Sequence, residues 1–102
     1  MPHFIVTFRI KDDKDYQARY DSFMETAKSL AKYSPWDQTT SFLALQSTDA
    51  NATSSSLCSS LYVDSKFDST KDVMVVVDLD KRTKSTKGKI EYEGLLDAGL
   101  GF

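Results

Sequence analysis

Residues 15–33 carry Tyr16, Tyr20, Phe23, Ala27, Leu30 and Ala31 at intervals of three and four, which lays a single apolar stripe along one side of a helix. Such a helix is held mainly by burial of that stripe, so the rest of the chain has to supply a cover for it. The cover is legible on both flanks. Residues 3–10 alternate, with Phe4, Val6 and Phe8 on one face and Ile5, Thr7 and Arg9 on the other, and residues 73–79 read Val-Met-Val-Val-Val-Asp-Leu. Both are rich in β-branched or aromatic residues, as strands of a covered sheet are. The chain is thereby constrained to pack helix on sheet.

The segments between fill out the order. Lys11 to Asp15 form a charged connection in which an aspartate caps the following helix, and Ser34-Pro35 ends that helix, because proline disfavours helical angles in the residue before it. Residues 36–47 read as a hairpin-like pair, a short strand at 36–38 turning near Gln38-Thr39 into a strand at 40–46, where Phe42, Leu43, Ala44 and Leu45 make an apolar run. Residues 49–62 are serine-rich, yet Ala50, Leu57, Cys58 and Leu61 fall on one helical side. This predicts a weak second helix, capped by Thr48, Asp49 or Asn51 and held by tertiary packing. After the strand at 72–79 come Lys81, Arg82, Lys84, Lys87 and Lys89, then apolar anchors Ile90, Tyr92, Leu95, Leu96, Leu100 and Phe102. The expected organisation is an α+β domain at 1–80 and a C-terminal tail at 81–102. That tail either adds an edge strand to its own sheet or pairs with a partner's sheet edge.

Length and charge narrow the function. A chain of 102 residues has room for one domain, and a net charge of −2 excludes a surface built throughout to hold nucleic acid while leaving local basic patches open. A lone cysteine, Cys58, cannot close an internal disulfide. The start Met-Pro-His-Phe lacks the pattern of a secretory signal, and no apolar run approaches the roughly 18 residues of a membrane span. The expectation is a soluble cytoplasmic protein with no membrane partner.

Few residues carry chemistry. Asp12, Asp13 and Asp15 lie close together but lack the glycine and glutamate of a calcium loop, and read as a solvated capping loop. Cys58 reads as a small core residue, since His3 is the only histidine available to pair with it. The serine cluster has no Gly-x-Ser-x-Gly elbow. Lysines at 81–89 could touch phosphates, although flanking acids Asp78, Asp80, Glu91, Glu93 and Asp97 favour a solvated linker. Among the aromatics, Tyr33 and Tyr92 are free of the core-facing periods. The candidate nucleic-acid or dimer-axis contacts are Arg9, Lys11, Lys81, Arg82 and Lys84; no catalytic, cofactor or metal residue is assigned.

The order strand, helix, paired strands, helix, strand is the ferredoxin-like arrangement, an antiparallel sheet with both helices on one face. More specifically, a strand, a charged loop, Asp15-Tyr16 opening a helix, then Trp36-Asp-Gln-Thr-Thr-Ser-Phe-Leu-Ala-Leu, a small-residue helix and a valine-rich strand resemble the CRISPR-associated protein 2 superfamily, in particular its SinR-like stand-alone members, over residues 4–80. The resemblance implies a homodimer whose chain crosses to its neighbour after the last core strand. It also implies either a metal-dependent nuclease or a structural dimer that holds DNA. In the nuclease an aspartate at the end of the first strand binds Mg²⁺; here that position is Arg9, a permanent cation. The expectation is therefore a non-catalytic homodimeric scaffold or nucleic-acid-associated module. The alternatives are an endonuclease using Mg²⁺ on other carboxylates, and a ferredoxin-like dimer that binds a small ligand.

Overall fold

A computed structural model describes residues 2–102. In chain order the elements are β1 (His3–Arg9), α1 (Tyr16–Leu30), β2 (Phe42–Gln46), α2 (Ser54–Val63), β3 (Val73–Asp78), β4 (Thr83–Lys87) and α3 (Glu93–Leu100). The strands form one four-stranded sheet of order β2-β1-β3-β4, antiparallel at every pairing. The protein is thus α+β.

Alternation along the strands divides the sheet into two faces. On one, Phe4, Val6, Phe8, Leu43, Leu45, Met74 and Val76 are buried together with Phe23, Ala27, Leu57 and Leu61 of α1 and α2. The stripe expected for α1 packs as read: Phe23, Ala27 and Ala31 are buried, and Tyr16, Tyr20 and Leu30 lie against the core's margin. Phe23 is central, its ring 4.8 Å from Phe8 and 5.9 Å from Phe67. The other face carries Ile5, Thr7, Arg9, Phe42, Ala44, Val73, Val75 and Val77, none of them fully buried.

Several expectations are corrected. The short strand at 36–38 is reduced to one bridge, in which Trp36 and Ala44 exchange hydrogen bonds of 2.9 and 3.0 Å. Asp37, Gln38, Thr39 and Thr40 beyond it are exposed and have no apolar side chain to bury, and the strand begins only at Phe42. Asp15 sits at the N-terminus of α1 but its carboxylate caps nothing; Asp13 instead accepts the Asp15 amide at 2.9 Å. The second helix starts at Ser54, later than expected. Thr53 caps it through a reciprocal box with Ser56, each side chain bonded to the other's backbone amide. Ala50 consequently lies outside it and exposed, and Ala52 is the buried alanine.

The basic segment is an edge strand. β4 pairs with β3 from Thr83 opposite Asp78 to Lys87 opposite Met74, so residues 83–87 are not a solvated linker. Its core-side positions are Thr83, Ser85 and Lys87, which explains the serine-rich helix above them. Ser54 shares a 3.1 Å hydrogen bond with Thr83, Ser85 donates to Ser54 at 3.4 Å, and the Lys87 ammonium sits 4.3 Å from the centre of the Tyr62 ring. Small hydroxyls let helix and edge strand approach while satisfying one another. Of the apolar anchors beyond β4, Leu95, Leu96 and Leu100 lie in a helix, α3, and Ile90, Tyr92 and Phe102 flank it without forming a strand.

Candidate functional site

Arg9 ends β1 on the face away from α1 and α2, directly beside Val73 at the start of β3. Around it lies an open cleft of about 600 Å³, lined by Thr7, Arg9, Val73 and Val75 of the sheet, Ser41 before β2, Thr70 and Lys71 before β3, and Lys89, Ile90, Glu91 and Leu96 of the C-terminal segment.

Two local structures build its walls. The first is a buried ion pair. Arg19 lies on the stripe face of α1 and reaches Asp72, with Nε to Oδ2 at 3.0 Å and Nη2 to Oδ1 at 3.2 Å. The same guanidinium donates to Asp13 Oδ1 at 3.1 Å and to the Lys11 carbonyl at 3.0 Å. Asp72 also accepts the backbone amides of Lys11 and Asp68, both at 2.9 Å. Its two oxygens thus each hold an arginine and an amide, which meets the condition for burying an ion pair at tolerable cost. The Asp72 and Asp13 hydrogen bonds raise the pKa of Arg19 above its ordinary value, and the Arg19 contact lowers that of Asp13. The loop before β3 is thereby tied to the loop after β1.

The second is Gly88. Its φ of +96° turns the chain back over β3, and a Cβ there would lie 2.0 Å from the Asp72 carbonyl oxygen. Only glycine fits so close an approach with that backbone. Lys89, Ile90 and Glu91 follow at once and become the cleft's outer wall.

The sequence-derived contacts do not converge. Arg9 and Lys11 belong to one end of the sheet, although Lys11 contributes only backbone to the Asp72 network. Lys81 and Arg82 occupy the β3–β4 turn, at the Phe4 end, roughly 16 Å of strand away. There Asp78 is buried and organises the turn, its Oδ1 accepting the amides of Asp80 and Lys81 at 2.9 and 3.0 Å. Its Oδ2 is buried without a hydrogen-bond partner among the described residues. Arg82 and Lys84 stack on the Phe102 ring at 5.4 and 5.6 Å, and Lys84 pairs with Asp97 at 2.9 Å. These cations tie α3 and the chain end to the β4 edge of the sheet, although no residue of α3 is fully buried.

Lys71, Lys89 and Arg19 were outside the candidate set. For Arg19 a signal existed: it is three residues from Tyr16 and four from Phe23, so a cation on the stripe demands a buried acid. Nothing local in the sequence brings Lys71 and Lys89 to Arg9, because Gly88 and the strand register do that. Cys58 is buried, and burial raises its thiol pKa. Among the described residues, no group of three or more His, Cys, Asp or Glu is arranged to hold a metal ion, and no helix is long and apolar enough to cross a membrane. No family model, curated protein or solved structure matches this chain.

Proposed function

We propose that the chain is a non-catalytic homodimeric module of ferredoxin-like architecture, resembling CRISPR-associated protein 2 and associated with nucleic acid through phosphate contacts. The observation that carries this reading is the cation at the end of β1 within a cleft that also gathers Lys71 and Lys89. A nuclease of that family would hold Mg²⁺ on carboxylate oxygen there. The donor set does not fit: Arg9, Lys71 and Lys89 line the position, the carboxylate of Asp72 is engaged by Arg19, and Glu91 is the one acid left facing them. What the arrangement favours is an anion such as a phosphate, which arginine receives in a bidentate way.

The ferredoxin-like reading is supported by the connectivity. The Trp36 bridge stands where the second strand of that arrangement would pair, and β4 is an addition at the opposite edge. Self-pairing is supported by the open face. Away from the Arg9 end it carries the cross-strand row Ala44, Ile5, Val77, with Trp36 edge-on to Phe42 at 5.9 Å and 49% exposed. An apolar row needs no opposite charge to meet its own copy across a two-fold axis, so a second chain of the same kind is the occupant it suits.

Electrophoretic mobility shift with single- and double-stranded DNA and RNA over a salt series tests the nucleic-acid part. Binding that falls steeply with salt and weakens on Arg9→Ala is expected. Absence of any shift at low salt contradicts it, and Mg²⁺- or Mn²⁺-dependent cleavage lost on Asp13→Ala or Asp78→Ala contradicts the non-catalytic assignment.

A further inference from the structure

The cleft beside Arg9 combines features that a surface for a polymer backbone does not need. Its volume, about 600 Å³, is that of a small-molecule site. Val73 and Val75 give it an apolar floor, and Ile90 and Leu96 face them from the C-terminal segment. Cations stand at its rim. Among the described residues Arg9 and Lys89 make no ion pair within 4 Å, and Lys71 reaches only Asp13, at 3.5 Å. Asp72 in the wall is neutralised by Arg19, so Glu91 is the remaining acid facing them. Thr7 and Ser41 also line the cleft, while the Thr70 hydroxyl beside them is taken up by Asp68 at 2.6 Å.

We propose that this cleft binds a small amphipathic anion, a phosphate group carried on a flat apolar body through a polar linker, as in a nucleoside monophosphate. Arg9 and Lys89 receive the phosphate, the Thr7 and Ser41 hydroxyls suit a sugar, and the base lies between the valine floor and the Ile90–Leu96 wall. A bare alkyl carboxylate would engage the cations and the floor but make no use of the Thr7 and Ser41 hydroxyls, and is expected to bind more weakly. The site uses one chain only and does not rest on self-pairing or on polymer binding.

Isothermal titration of the full chain at low salt with adenosine monophosphate, inorganic phosphate, adenosine and octanoate tests this. Adenosine monophosphate is expected to bind about tenfold or more tighter than either phosphate or adenosine, because both halves of the cleft are engaged. Arg9→Ala and Lys89→Ala are each expected to weaken it about tenfold, the effect of one charge-assisted hydrogen bond. Both residues are exposed and their side chains make no hydrogen bond among the described residues, so melting temperatures of these variants should match the parent. The proposal is overturned if adenosine monophosphate gives no saturable heat, binds no tighter than phosphate, is outcompeted by octanoate, or binds Arg9→Ala as well as the parent.

Discussion

Arg19 of α1 grips Asp72, the residue just before β3, through paired contacts of 3.0 and 3.2 Å, with the Asp72 side chain wholly shielded from solvent and that of Arg19 7% exposed. One ion pair thus joins a helix, the loop after β1 and the loop that becomes a wall of the cleft. Its value is positional: charges removed from water stabilise little as a pair, but either one left alone is costly.

Asp72→Ala should therefore destabilise the fold by about 3–5 kcal/mol, since it strands a buried guanidinium and the amides of Lys11 and Asp68. Urea unfolding of Arg19→Met, Asp72→Asn and the double variant checks the coupling. The double variant should lose clearly less than the two single losses added together, and strict additivity would show that the pair does not act as a unit.

Acid should weaken the protein through Asp13 and its neighbours. Arg19 holds Asp13 below the ordinary carboxylate value, Thr70 does the same for Asp68, and the backbone amide of His3, followed by its ring, for Asp80. A carboxyl whose folded pKa is depressed contributes stability above its unfolded value, about 3.9, and loses it as pH falls through the folded one. Melting temperatures between pH 7 and pH 2 should stay level until about pH 4 and then drop. In Asp13→Asn the plateau should be lower and the acid drop shallower; an unchanged drop would assign it elsewhere.

Gly88→Ala should be destabilising by more than about 1 kcal/mol, because alanine is strained at positive φ. Its Cβ also has no room against the Asp72 carbonyl. Amide exchange should show the loss concentrated at residues 88–91 and the neighbouring loop before β3. An alanine variant as stable as the parent would mean that the chain crosses β3 less closely than the structure indicates.

The elements with strong periodicity were legible from sequence. The α1 stripe and the strands at 3–9 and 73–78 follow from side chains that have one apolar destination. The misplaced features turn on partners distant in the chain. Thr53 rather than Thr48, Asp49 or Asn51 caps α2 because Ser56 completes its box, and the aspartate cap expected for α1 is missing because Asp13 is turned to Arg19 and Asp15 makes no side-chain cap. Residues 81–89 read as a polar linker because the strand within them, Thr83–Lys87, is three hydroxyl residues and two lysines. Its core-side positions meet serines and the Tyr62 ring in place of an apolar core, so no hydrophobic alternation marks it. For the cleft, Arg9 was visible as a cation at a strand end. Its companions Lys71 and Lys89 are brought to it by the β3 register and the reversal at Gly88.

The most direct test is the mass of the particle in solution. Light scattering on the intact chain at micromolar concentration should give twice the 11.5 kDa chain mass. Val77→Lys, a partly buried position on the open sheet face, should give the single-chain mass with an unchanged circular dichroism spectrum. A parent chain that runs as a monomer, or a dimer that survives Val77→Lys and Ile5→Lys together, would contradict pairing through this face.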